Sequence, residues 1–202
     1  MAKKNVIISF VQFATKPLSP VVQKICREKA VKINEAIHPY VKGKVLDVGA
    51  GRCYVSKEVQ TKNKDVEVTC LDVDNYNMTD MKLILYDGKK IPFPDNNFDT
   101  LMLIYVLHHV ENPVEVLKEC IRVCKGNIII TEDPAGNFFV KAIDYIYNNF
   151  HGVDCPFNFK SDIEWIILFN KLGLDIVHIQ RGVEKEWFSP VEHILFVLKK
   201  RA

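Results

Sequence analysis

The sequence predicts an α/β fold: a mostly parallel sheet with helices on both faces. Three observations predict it. Short apolar runs alternate with helical patterns over the first 130 residues, the order that βαβ units produce. The runs are near-continuously apolar, as strands buried on both faces must be. Asp47, Asp72, Asp87, Tyr105 and Glu132 each fall at or just after the end of such a run. Polar groups therefore gather on the carboxyl edge of the sheet, where open α/β folds bind ligands near the reversal of strand order.

The elements follow in chain order. Val6 to Phe13 is apolar and comes after Lys3 and Lys4. It contains Gln12, lacks a small-residue cleavage pattern before Lys16-Pro17, and is too short to span a membrane. Residues 1–42 are expected to form an arm and a helix. Ser19 caps that helix and Pro20 suits its first turn; Val22, Ile25, Cys26, Lys29 and Ile33 recur on one face over 20–37. Residues 44–48 form a buried strand, 52–61 a helix and 65–71 the next strand. Residues 81–86 are a third strand, closed by Asp87-Gly88. A turn-rich link with two prolines leads to a fourth strand, 98–105. Asn112 caps a helix that opens at Pro113 and runs to about Lys125, ended by Gly126. Residues 127–131 are a fifth strand. An aromatic-rich helix is expected over 137–149 and a loop over 150–160. Ser161 opens a helix over 161–172 that Gly173 closes. Residues 174–180 and 193–198 are the final strands.

At 202 residues with 48% hydrophobic composition, the chain is one domain with a real core. Its 27 Lys and Arg against 25 Asp and Glu leave a net charge of +2, which demands no polyanionic partner. Of six cysteines none forms a CxxC; Cys120 and Cys124 are four apart on the expected helix. Mostly buried thiols in a reduced, cytoplasmic setting fit best. Trp165 reads as core, and Lys199 to Arg201 as a solvated basic tail. Trp187 is placed at a loop or interface.

Val45-Leu46-Asp47-Val48-Gly49-Ala50-Gly51 carries most of the functional reading. Gly49 and Gly51 let the backbone turn sharply and approach a ligand. The dinucleotide fingerprint needs a small residue at its sixth position, where Tyr54 stands, and Asp47 would repel a pyrophosphate. Asp47 suits a ligand ammonium, or fixes the turn by accepting backbone N–H bonds. Asp72, 23 residues after Gly49, directly ends its strand and can accept bonds from ribose hydroxyls; Asp74 is its competitor. Asp87 can accept from an adenine amino group, or simply shape an Asp-Gly turn.

Residues 43–133 resemble the class I S-adenosylmethionine-dependent methyltransferases, of the type 11 domain that acts on small molecules. The resemblance rests on Val45 to Gly51, Asp72, Ile91-Pro92-Phe93-Pro94-Asp95-Asn96-Asn97-Phe98-Asp99, Val106-Leu107-His108-His109-Val110, and Leu117-Lys118-Glu119-Cys120-Ile121-Arg122-Val123. It implies a Rossmann-like seven-stranded sheet with one antiparallel strand. It implies S-adenosyl-L-methionine as cofactor, with Asp47, Gly49 and Gly51 around its methionine part. Asp72 with its neighbour Val73 takes the ribose side, Asp87 and Gly88 the adenine, and Tyr105 lines the reacting end. Two departures stand out: Cys53 where the family often has a third glycine, and Gly126-Asn127 for Gly-Gly.

A methyl on a sulfonium is already activated, so the protein mainly aligns partners and excludes water. A base is needed only where the acceptor must lose a proton early; His108, His109 and His151 are the candidates. The N-terminal helix and residues 134–160 are expected to cap the pocket, the latter on the substrate side. No metal is expected, because adjacent His108 and His109 do not converge on one ion; Glu132 and Asp133 beside them are the alternative. A small-molecule acceptor is the first reading. An RNA or protein substrate, favoured by the lysine-rich first 44 residues, is the second. A non-catalytic subunit with the same fold is the third, and an NAD enzyme the fourth. No integral membrane segment is expected, and oligomeric state is not legible.

Overall fold

The computed structural model describes residues 19–133, 158–183 and 193–201. The expected helix over 137–149, Trp187 and His151 lie outside them. The described elements are α1 (Ser19–Ile37), β1 (Gly43–Val48), α2 (Tyr54–Lys62), β2 (Val66–Asp72), β3 (Leu83–Leu85), β4 (Phe98–Ile104), α3 (Pro113–Val123), β5 (Cys124–Glu132), α4 (Asp162–Lys171), β6 (Leu174–Val183) and β7 (His193–Lys200). The seven strands form one sheet in the order β3-β2-β1-β4-β5-β7-β6. β1 to β5 pair in parallel, and β7 runs antiparallel to both neighbours. This is the predicted mostly parallel sheet.

Residues of successive strands alternate between two cores. Leu46, Val48, Leu101, Leu103, Ile128, Ile130, Phe196 and Leu198 pack with α3 (Leu117, Cys120, Val123) and α4 (Trp165, Phe169). Val45, Met102, Ile129, Leu195 and Val197 pack on the other face with Ile33 and Ile37 of α1 and Val59 of α2. Period-two side-chain direction in a strand buried on both sides produces this division. Ile25 was expected on the buried face of α1 but is exposed; Ala30, Ile33 and Ile37 carry the packing.

The caps read from sequence for α3 and α4 are present, whereas Ser19 is itself the first residue of α1. Asn112 accepts from the Glu115 N–H, and Ser161 and Glu164 form a reciprocal capping box. The α3 boundary differs from expectation. The helix ends at Val123, and β5 already begins at Cys124, paired with Phe98. Gly126 is therefore a strand residue, and Cys120 and Cys124 do not share a helical face. A Cβ on Gly126 would lie 2.1 Å from the Asp99 carbonyl oxygen; the glycine permits close approach of two strands rather than stopping a helix. The third strand is shorter than expected, and the basic tail is engaged: Lys200 donates to Asn96 and Arg201 to Asp175 and Asn170. Cys53, Cys70, Cys120 and Cys124 are buried and Cys26 half-buried, all free thiols. No helix among the described residues is long and apolar enough to cross a membrane.

The proline-rich link before β4 is held by one side chain. Arg122 of α3 donates to the carbonyls of Ile91 and Phe93, to Asp95, and through two nitrogens to Glu119. Glu119 in turn accepts from the Ile91 N–H. Lysine cannot reproduce this planar fork. Arg122→Lys is expected to destabilise the fold by about 1–2 kcal/mol, read as a lower urea midpoint with an unchanged slope.

Candidate functional site

Strand order reverses between β1 and β4, so the loops after these strands splay apart and open a crevice. A cavity of about 580 Å³ occupies it, within the range of small-molecule sites. Its wall includes Asp47, Gly49 and Gly51 after β1, Asp72 and Val73 after β2, Gly88 after β3, and Tyr105 and His109 after β4. A second, more open groove of about 540 Å³ runs between α1 and β6, past Lys32, Tyr40 and His178. It contains none of these strand termini.

Asp47 is 2% exposed. One carboxylate oxygen accepts from Ser56 Oγ at 2.5 Å; the other has no hydrogen-bond partner. Burial pushes this carboxyl up to about 7; the Ser56 bond lowers it in part and the nearby Asp72 charge raises it further. A buried acceptor oxygen on a cavity wall is a ready site for a cation.

Asp72 acts as a pin. Its Oδ2 accepts from the Gly51 N–H at 2.7 Å, and its Oδ1 from the Val73 N–H at 2.7 Å. It thereby ties the β1 turn to the β2 end while facing the cavity. A carboxylate offers about four lone-pair sites, so capacity remains for ligand hydroxyls. Asp74, its competitor in the sequence, is exposed and off the cavity wall.

The glycine turn has two distinct needs. Gly49 has φ 72°, and a Cβ there would lie 2.6 Å from Val106 Cγ2. Gly51 has φ 52° and open space where a Cβ would stand, so its backbone faces the ligand volume. Cys53 takes the conformation a third glycine would supply, with φ 60°. The hydrogen bond it shares with Cys70, and then burial, push its thiol up, so it forms an uncharged wall. Tyr105 has φ 59°. Among the described residues, two of the three non-glycine positions with left-handed backbone thus line the cavity; strain costing about 1 kcal/mol or more each concentrates at functional sites.

Gly88 lines the cavity opposite Val73, whose Cγ1 would be 3.1 Å from a Cβ on the glycine. The glycine sets the width of a slot suited to a flat ring. Asp87 is not on this wall. Its carboxylate accepts from the Lys89 and Lys90 N–H groups of its own turn, and those bonds hold its carboxyl below the usual value.

The histidines divide. His109 lines the cavity; burial first, and then the charge of His108, push its imidazole down to about 4, with Asp133 opposing. It is neutral at physiological pH. His108 is buried behind it, ring centroids 4.0 Å apart, with Nδ1 2.7 Å from Glu132 Oε2. Glu132 Oε1 also accepts from the Leu107 N–H at 2.7 Å. His193 Nε2 stands 2.9 Å from Asp133, and its ring 4.8 Å from that of Tyr105. Burial raises the Asp133 carboxyl, but His193 and then His108 and Lys29 outweigh it, leaving it below the usual value. His108 and Glu132 thus form a buried buttress for the segment that carries His109. Among the described residues no group of three or more His, Cys, Asp or Glu could hold a metal ion.

The N-terminal helix forms the roof. Cys26, Lys29, Ala30 and Ile33 of α1 line the cavity, and Lys29 Nζ lies 4.2 Å from the Tyr105 ring centroid. Of the expected cap over 134–160, only the last residues are described. Asn158 hydrogen-bonds to His108, Val110 and Glu111 main-chain atoms, and Phe159 stacks on His108.

Residues 46–130 match the protein family described as a methyltransferase domain. The chain is 28% identical over 115 residues to a demethylmenaquinone methyltransferase of Thermotoga maritima, covering 52% of this chain and 49% of that protein. It spans half or less of the length of the first curated relatives it matches. A chain of the complex between the Haloferax volcanii Trm112 methyltransferase activator and a methyltransferase superposes with TM-score 0.68 at 14% identity, covering 93% of this chain and 97% of that one. An S-adenosylmethionine-dependent methyltransferase from Aquifex aeolicus gives 0.65 at 16% identity, covering 95% and 97%. At these identities the structural likeness is one of fold.

Proposed function

Because the chain is a class I S-adenosylmethionine-dependent methyltransferase-like protein, we propose that it binds S-adenosyl-L-methionine in the β1–β4 crevice and transfers its methyl group to a small molecule. One observation carries the placement: Asp47 and Asp72, from neighbouring strands, face a single cavity beside a backbone left open at Gly51. The donor set fits the cofactor. The unpartnered oxygen of Asp47 takes the ammonium, Gly49 and Gly51 the methionine chain, Asp72 the ribose hydroxyls, and the Val73–Gly88 slot the adenine. Asp87 supports that slot through its turn. Bound there, S-adenosylmethionine supplies a sulfonium methyl open to in-line attack.

The chain's own groups supply alignment and dryness. Tyr105 and the α1 residues close the wall around the reacting end. His109, neutral and facing the cavity, can accept a hydrogen bond or a proton from the acceptor, while Glu132 and His108 hold its segment in place. The α1 helix roofs the site, and the segment 134–160, with His151, is proposed as the cap of the acceptor side, a reading that the anchoring of Asn158 and Phe159 beside His108 supports. The family match covers the cofactor half, so the relatives' acceptors are not carried over. The free thiols favour a cytoplasmic setting.

The test is transfer of a labelled methyl from S-adenosylmethionine into a cell extract separated into small molecules, RNA and protein. Label in the small-molecule fraction is expected. Label in RNA or protein alone overturns the acceptor class, and no label with intact cofactor binding supports a non-catalytic subunit.

A further inference from the structure

Among the described residues, two buried side-chain oxygens on the cavity wall lack a hydrogen-bond partner: Asp47 Oδ1 and Tyr54 Oη. A buried polar atom left unbonded destabilises the ligand-free fold. The two atoms call for opposite partners. An ionised carboxylate only accepts, whereas a phenol can donate. Asp47 is therefore complementary to a cation and Tyr54 to an anion. Tyr54 is only half-buried as a residue, so its buried oxygen is the end turned inward.

The surroundings of Tyr54 favour an anion. It is the first residue of α2, whose N-terminus carries no side-chain cap. The first N–H groups of a helix have no intrahelical partner, and the helix dipole is positive at that end. Cys53, Tyr54 and Val55 bring this terminus to the cavity wall. The Arg27 guanidinium of α1 lies 5.8 Å from the Tyr54 ring centroid. Arg52 stands on the same wall, with one guanidinium nitrogen 3.5 Å from Cys26 Sγ of α1.

Resting on the placement of S-adenosylmethionine in this crevice, we propose that Tyr54 is a specificity residue for its amino-acid end: the Tyr54 hydroxyl donates to the α-carboxylate while Asp47 accepts from the α-ammonium. The two residues flank the Gly49–Gly51 turn, which is assigned the methionine chain. A zwitterion carries both groups on one carbon, so it satisfies both orphaned oxygens at once. The side chain that breaks the dinucleotide fingerprint at its sixth position thus supplies a contact that no dinucleotide needs. A ligand lacking the carboxylate leaves the Tyr54 hydroxyl unbonded and is held less tightly.

Calorimetric titration of the full chain with S-adenosylmethionine and with its decarboxylated analogue tests the proposal. The analogue keeps the sulfonium, the nucleoside and the ammonium. Wild type should bind it at least ~10-fold more weakly than S-adenosylmethionine. Tyr54→Phe should weaken S-adenosylmethionine at least ~10-fold and leave the analogue within about twofold. The ligand-free thermal midpoint of Tyr54→Phe should not fall, because the hydroxyl it removes has no partner to lose. Asp47→Asn should weaken both ligands alike, since both carry the ammonium. Equal wild-type affinity for the two ligands overturns the proposal, as does a Tyr54→Phe that weakens both or neither. A wild type that binds neither ligand overturns the placement of the cofactor, and this assignment with it.

Discussion

Asp72→Ala is expected to weaken S-adenosylmethionine binding at least ~30-fold. A hydrogen bond to a charged group contributes about 1.5–3 kcal/mol, and Asp72 is assigned two ribose hydroxyls. The same carboxylate accepts from the Gly51 and Val73 N–H groups, so the variant also loosens the turn that carries the methionine end. Two controls separate these effects. Asp72→Asn keeps an acceptor oxygen for the main chain and should recover thermal stability better than affinity. A 2′,3′-dideoxy analogue should bind wild type weakly and lose little more in Asp72→Ala. Calorimetric affinity and thermal unfolding of both variants check the pair of expectations. Unchanged affinity in a folded Asp72→Ala removes the assigned role.

The second large effect is on pH. Asp47 titrates near 3.9 in an unfolded chain and near 7 in the ligand-free fold. A raised carboxyl stabilises the fold fully below the unfolded value, and that contribution is lost as pH rises through 7. A bound ammonium reverses the preference, because it holds Asp47 ionised. Below pH 7, binding must therefore release a proton, and affinity should rise about tenfold per pH unit toward 7 before levelling. It should fall again above about 8, where an α-ammonium loses its own charge. Asp47→Asn should remove the rising limb. Titrations in buffers of different ionisation enthalpy read the proton count directly.

How much of this was legible in the sequence depends on the range of the forces involved. The sheet was, because buried parallel strands must be continuously apolar and their ends must be polar. The carboxylates at Asp47 and Asp72 and the glycine turn were, because local backbone chemistry places them. The role of Gly126 was not. Its small size answers to the Asp99 carbonyl across the sheet, a contact with no local trace. The direction of the Asp87 side chain was ambiguous for the opposite reason: an Asp-Gly turn satisfies itself locally. The burial of His108 against Glu132 joins residues 24 apart, and adjacency in the chain gave no means of separating it from His109. The α1 roof was legible as the helix before the first strand, but the approach of Lys29 to the Tyr105 ring was not, because it joins residues far apart in the chain. Cys53 shows a further limit: the left-handed turn is imposed by the loop, and the residue type follows it only loosely.

The most direct test is calorimetric titration of the full chain with S-adenosylmethionine and, separately, with NAD. A single S-adenosylmethionine site is expected, with affinity lost in Asp72→Ala and its proton release lost in Asp47→Asn, and no NAD binding. Absence of S-adenosylmethionine binding, or binding indifferent to both substitutions, would contradict the assignment of this crevice.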